Sequence, residues 1–115
     1  MSRLFMLVLL VCFSLSAKTD EGPIRIASKM FSESYVLAEI VTQLLIAEGF
    51  DAQHEQGLGG TLFAYEALRN GEIDIYPEYS GTLTQAVLKQ PGLNEQQLQQ
   101  ALAAEGLVLK PLFGF

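Results

Sequence analysis

The chain contains no tryptophan, one cysteine, one histidine and only seven basic residues among 115. The single cysteine, Cys12, excludes an intrachain disulfide and any multi-cysteine metal site. The single histidine, His54, excludes a histidine-pair zinc site. Seven basic against thirteen acidic residues give a formal charge of −6. The basic footprint of a nucleic-acid binder is missing, so no nucleic-acid partner is expected. No Walker loop, zinc spacing, EF-hand loop or nucleophile elbow occurs, and no cofactor is expected. What is present is a globular composition. Half the residues are apolar, 10% are aromatic and 17% are charged, which excludes disorder and low-complexity polymer.

Residues 1–17 read as a secretory signal peptide. Arg3 precedes an apolar run from Leu4 to Phe13, and small residues follow at Ser14, Ser16 and Ala17. The run is too short to cross a bilayer as a helix, which takes about 20 residues. Val11 before Cys12 is too large for a lipobox. Residues 18–23 read as a polar linker. From Lys18 onward the chain has no cysteine and a net charge of −7, with six basic and thirteen acidic residues. That composition suits the periplasm or the outer cell surface.

Hydrophobic periodicity then alternates between two and three-to-four. Ile24 to Ser28 suits a strand. Glu33 to Glu48 suits a helix whose apolar stripe is Val36, Leu37, Ile40, Val41, Leu44 and Leu45, with Ser32 as its cap and Gly49 as its end. Ala52 to Gln56 suits a strand, and Gly57-Leu58-Gly59-Gly60-Thr61 a turn. A helix follows in which Leu62, Tyr65 and Leu68 share a face. Ile73 to Tyr76 suits a third strand, Ser80 to Lys89 a helix, and Asn94 with Gln97 a capping box for one more helix. Leu107 to Leu109 suits a last strand. His54 reads as exposed. The order is α/β, with a mostly parallel sheet flanked by helices. Ligands of such sheets bind beyond the carboxyl ends of the strands. That singles out three loops: Ser28 to Ser32, Gly57 to Thr61, and Tyr76 to Thr82.

Tyr76-Pro77-Glu78-Tyr79-Ser80-Gly81-Thr82 is the densest cluster of functional side chains. A tyrosine face attracts a cation, while both rings could equally pack in a core. Residues three apart on an extended stretch point to opposite faces, so Tyr76 is expected inward and Tyr79 toward the ligand face. Lys29 could meet an anion at the sheet edge or be a solvated surface lysine. A small α/β enzyme using Glu78 or Asp74 as base would need a second catalytic group, and the sequence offers none, so no enzyme is expected.

Ile24 to Ile40, Gly57 to Thr61 and Gly71 to Thr82, in this order and spacing, resemble the solute-binding proteins of osmoprotectant ABC importers. The resemblance covers residues 24–115. It implies a type II periplasmic-binding-protein fold in which two lobes close on a quaternary ammonium solute such as glycine betaine or choline and deliver it to a membrane permease. It also implies that Tyr79 belongs to an aromatic box for the trimethylammonium group, and that Lys29 and Thr82 meet a ligand carboxylate. Members of the family run to well over twice this length. Residues 24–115 therefore read as the N-terminal lobe alone, with the second lobe absent. The chain is then either a fragment of such a binding component or a truncated, non-functional remnant of it.

Overall fold

The structure, a computed structural model, describes residues 22–110. The expected signal peptide, most of the linker and the apolar ending from Pro111 to Phe115 lie outside the described residues.

Strand β1 (Ile24–Lys29) pairs in parallel with β2 (Ala52–Gly59), and helix α1 (Ser32–Ala47) makes the crossover between them. The alternation along β1 splits its side chains between two faces. Ile26 packs with Ala38, Val41 and Ala52 under α1. Ala27, on the other face, packs with Ala67 and Ile73, where helix α2 (Thr61–Arg69) covers the sheet. The result is a helix–sheet–helix layering, the α/β architecture expected from the order of elements. Two shallow turns close the helices. Gly49 (φ +92°) follows α1 and Gly71 (φ +76°) follows α2, both in the left-handed region that a side chain disfavours.

Further along, α3 (Ser80–Thr82) runs directly into a π-helical turn, Leu83–Val87, and α4 (Glu95–Ala104) completes the described elements. Leu83, Leu98 and Leu102 pack with Tyr65 into another cluster. Asn94 opens α4 as the sequence predicts. Its side chain accepts from the Gln97 amide at 2.8 Å, and the Gln97 side chain accepts from the Asn94 amide at 3.0 Å.

Several expectations are corrected. Ile73 to Tyr76 does not form a strand: one parallel bridge joins Ile75 to Ile26, with Ala27 N–H donating to the Ile75 carbonyl. Leu107 to Leu109 is not a strand either among the described residues. A strand needs a neighbour along its length, and neither segment has one on its outer side. Instead, Asp74 to Tyr76 and Leu107 to Leu109 line a cavity of about 440 Å³ together with Tyr65 and Leu102. The expected helix at Ser80–Lys89 is a short α-turn followed by a π-turn, ended by Lys89 at φ +53°.

The buried face of α1 also differs from the expected stripe. Ser34, Ala38, Val41 and Thr42 are buried, whereas Val36, Ile40 and Leu44 are exposed. The helix is apolar over more than one face, and its small residues let the backbone approach the sheet closely. Similarly Ala64, Tyr65 and Ala67 are the buried residues of α2, and Leu62 is exposed. Ser32 is the first helical residue rather than a cap. Its neighbour Ser34 does the local fastening by accepting the Lys29 amide at 2.7 Å.

Replacing Asn94 by Ala is expected to cost about 1 kcal/mol, because the Gln97 amide loses its acceptor while the Gln97 side chain can still accept from the amide at position 94. Asn94→Asp should stay within a few tenths of that of the parent. Urea denaturation midpoints of the purified chain check both.

Candidate functional site

The three loops singled out by the sequence meet at the carboxyl end of the sheet. Lys29, the last residue of β1, turns its side chain to the α2 face. Its Nζ donates to Glu78 Oε1 at 2.7 Å and to Thr61 Oγ1 at 3.0 Å. One contact ties the first loop to the third and the other ties it to the second. The lysine and glutamate side chains are 8% and 4% exposed. Both charges are therefore largely withdrawn from water, and each is compensated chiefly by the other. Glu78 Oε1 also accepts the Tyr79 amide at 3.0 Å, which fixes the backbone where the extended stretch turns into α3.

Above this ion pair lie two aromatic rings. Phe31 and Tyr79 stack with centroids 6.5 Å apart and planes 23° from parallel. The Lys29 ammonium sits 5.3 Å from the Phe31 centroid. Hydrogen bonding to the Glu33 carboxylate, then partial burial and the charges of Glu33 and Glu78, push the Tyr79 phenol up to about 12. The phenol is thus neutral at physiological pH, and a carboxylate flanks its oxygen. Tyr76 is turned inward against the α2 side of the sheet and the Leu83–Leu98 cluster. Burial, followed by the Glu78 charge, raises its phenol well above the usual range. Tyr76 thus packs into the core clusters, whereas Tyr79 stacks on Phe31.

The residues named from sequence are placed as follows. Lys29 and Tyr79 lie at one site, linked through Glu78 and Phe31. Thr82 ends α3 and is half-buried. Lys29 is not a solvated lysine, and Glu78 is not a solvated carboxylate. Asp74 is separate: its Oδ2 accepts the Arg25 amide at 2.8 Å and lies 3.6 Å from Arg25 Nε. Sequence reasoning missed Phe31, although it stands two residues beyond Lys29 in a loop already marked. It also misjudged His54, whose side chain is 6% exposed and bonded at both ring nitrogens. Among the described residues no group of three or more metal-ligating side chains occurs. No helix among them is long and apolar enough to cross a membrane.

Such a site can do two things. The rings, with the Glu33 carboxylate at the Tyr79 phenol, present an apolar, electron-rich surface to a bulky cation. The Lys29 ammonium has a third N–H beyond the two already donated to Glu78 and Thr61.

Residues 22–112 match the family model described as the substrate-binding domain of ABC-type glycine betaine transport systems. The chain is 36% identical over 75 residues to the glycine betaine-binding protein YehZ of Escherichia coli K12, covering 65% of this chain and 24% of that protein. It is 37% identical over 84 residues to a glycine-betaine-binding protein of Pseudomonas aeruginosa, covering 71% and 27%. It is 38% identical over 73 residues to the ergothioneine transport permease/ergothioneine binding protein EgtU of Helicobacter pylori G27, covering 63% and 13%. Among solved structures, apo YehZ from Escherichia coli superposes with a TM-score of 0.63 at 28% identity, over 72% of this chain and 32% of that one. The chain thus spans roughly an eighth to a quarter of the length of these curated relatives.

Cutting the ion pair from one side should leave a buried charge unmatched. Lys29→Met or Glu78→Leu alone is expected to destabilise the chain by about 3–5 kcal/mol, while the double variant should be more stable than either single one. Urea unfolding of all four proteins tests this. A double variant as unstable as the summed singles would show that the two side chains do not act as a pair.

Proposed function

The chain belongs to the family of substrate-binding domains of ABC-type glycine betaine transport systems, and from that premise we propose that it is part of a solute-binding component that takes a quaternary ammonium compound. The observation that carries this reading is the stacked Phe31–Tyr79 pair with the Glu33 carboxylate at the Tyr79 phenol. Glycine betaine and ergothioneine, the solutes in the relatives' names, share a trimethylammonium group beside a carboxylate. Such a cation is too large and too weakly hydrated for a tight carboxylate pair, and aromatic faces suit it. In this reading Tyr79 and Phe31 form one wall for the onium group. Lys29 offers its third N–H to the ligand carboxylate, and Thr82 adds a hydroxyl. Since Glu78 already neutralises most of the Lys29 charge, the lysine acts as a hydrogen-bond donor more than as a counter-ion.

Residues 24–115 form one lobe in this proposal, and the opposing wall belongs to sequence that the longer relatives have in addition. The apolar rim at this end of the sheet fits that idea: Met30, Phe31, Leu62 and Phe63 are 69, 38, 60 and 61% exposed. Delivery to a membrane permease and an extracytoplasmic location, with residues 1–17 as the export signal, complete the proposal. The family's role is binding rather than catalysis.

One wall gives weak binding. A half-exposed cation–π contact and one solvent-screened contact between the ligand carboxylate and the already paired Lys29 supply about 1–3 kcal/mol, and a millimolar complex needs about 4 kcal/mol. The 115-residue chain is therefore expected to bind choline or glycine betaine more weakly than 1 mM. In NMR titrations the Phe31 and Tyr79 ring signals should move with choline, but much less with 3,3-dimethylbutan-1-ol, its uncharged isostere. Tyr79→Ala should abolish the difference. Equal shifts with the two compounds would refute the onium site, and micromolar binding would refute the single-wall geometry.

A further inference from the structure

His54, Ser28 and Glu39 form a chain of hydrogen bonds on the α1 face of the sheet, opposite the face that carries Lys29. His54 Nδ1 lies 2.7 Å from Glu39 Oε2, and its Nε2 lies 2.8 Å from Ser28 Oγ. Ser28 Oγ in turn accepts the Gly57 amide at 3.2 Å. Ser28 is wholly buried. The contact order is that of an acyl-transfer triad, but a hydroxyl with no exposed surface, on a strand beneath a helix, cannot reach a substrate carbonyl.

The pairing of the strands shows what the network does. Ala27 faces Glu55 and Lys29 faces Gly59, so two steps along β1 correspond to four along β2. The surplus residues form an irregularity centred on Gly57, directly across from Ser28. At such a bulge the backbone loses its ladder partners. The Ser28 hydroxyl supplies the acceptor that the ladder no longer provides for the Gly57 amide. Gly57 itself has φ +63°, and a Cβ there would lie 2.9 Å from the Tyr35 hydroxyl, so the bulge is seated tightly against α1. Just beyond it come Gly59, Gly60 and Thr61, the residue whose hydroxyl accepts from Lys29.

Donor and acceptor accounting assigns the protons. An ionised carboxylate only accepts, and the hydrogen bonds from Gln43 and His54 hold the Glu39 carboxyl below its usual range. Nδ1 of His54 therefore carries a proton. In the neutral ring Nε2 is then an acceptor, and it takes the Ser28 hydroxyl proton. That leaves the Ser28 oxygen to accept from Gly57. Each hydrogen bond then has one donor and one acceptor, and no donor of the network is left over.

We propose that His54, neutral and protonated on Nδ1, is a positioning residue for the ligand site: through Ser28 it holds the Gly57 bulge, and the bulge sets Thr61 beside the Lys29 ammonium. The role assigned to the bulge rests on the site proposed above, but the network can be read without any ligand, so the two can fail separately.

Nitrogen-15 NMR of the 115-residue chain, with labelled histidine, reports which ring nitrogen bears the proton. The expected result is Nδ1–H with Nε2 unprotonated at neutral pH, and a proton found on Nε2 would overturn the assignment. In His54→Phe, which keeps an aromatic ring but neither nitrogen, the Gly57 amide should exchange about tenfold faster or more. The Leu98 amide, in the other core cluster, should keep its rate. The Lys29 ammonium signal should shift, while those of the exposed Lys89 and Lys110 should not. An unchanged Gly57 rate, or an unchanged Lys29 signal beside a faster Gly57, would refute the positioning role. Should His54→Phe fail to fold, Ser28→Ala gives the same Gly57 readout. The tautomer measurement needs no variant.

Discussion

The buried Lys29–Glu78 pair is the contact on which the geometry of this chain depends. Two opposite charges withdrawn from water are costly unless each finds the other and the remaining hydrogen-bonding capacity is met. Here the lysine reaches Glu78 and Thr61 together, and the glutamate oxygen also accepts the Tyr79 amide. Four residues from three separate loops are thereby held within one small volume. The residues on either side inherit their positions from it. Phe31 is two residues beyond the lysine, Tyr79 is one beyond the glutamate, and their rings stack because their backbones are fastened to the same pair. The pair also leaves a cost uncovered, since Glu78 Oε2 and the Tyr76 hydroxyl are both buried without a hydrogen bond. Burial, followed by the nearby Glu78 charge, accounts for the raised Tyr76 phenol.

The two faces of β1 divide the labour. On one face the Lys29 side chain builds the polar floor of the site. On the other, Ser28, His54 and Glu39 brace the irregular end of β2. A parallel strand pair is an economical place for this arrangement, because the loops that follow both strands emerge at the same end. Glycine is needed where β2 departs from the ladder: Gly57 takes a positive φ in a space closed by Tyr35. The consequence is a rigid base beneath an open apolar rim. Rigidity favours a stacked aromatic wall, since fewer rotamers are lost when a ligand arrives. The open rim keeps that wall from excluding water by itself.

The candidate site was more legible in the sequence than its supports. The loops after β1, around Gly57 and after Tyr76 could be marked from strand–helix alternation alone, and the inward packing of Tyr76 was expected. Phe31 was missed because a lone exposed phenylalanine gives no periodic signal. His54 was misread because its neighbours Gln53 and Glu55 are polar, which suggests an edge open to solvent. Its partners, Glu39 and Ser28, are fifteen and twenty-six residues away. The helix stripes were overestimated for a related reason. Hydrophobicity marks residues able to be buried, while close packing on the sheet selects small ones such as Ala38, Ala64 and Ala67.

By itself the sequence determined the first two strands and the helices that follow them, the capped start of α4, the acidic character of the chain and the loops in which chemistry could gather. All of these depend on local spacing or on composition, which act within a turn or a strand. Only the tertiary structure decided that Lys29 would be paired with Glu78 rather than solvated, that Phe31 would join Tyr79, and that a histidine would brace a bulge. Those outcomes depend on which distant side chains share a desolvated space. The cost of burying a charge or a hydroxyl is set by the partner that meets it there, and no local pattern names that partner.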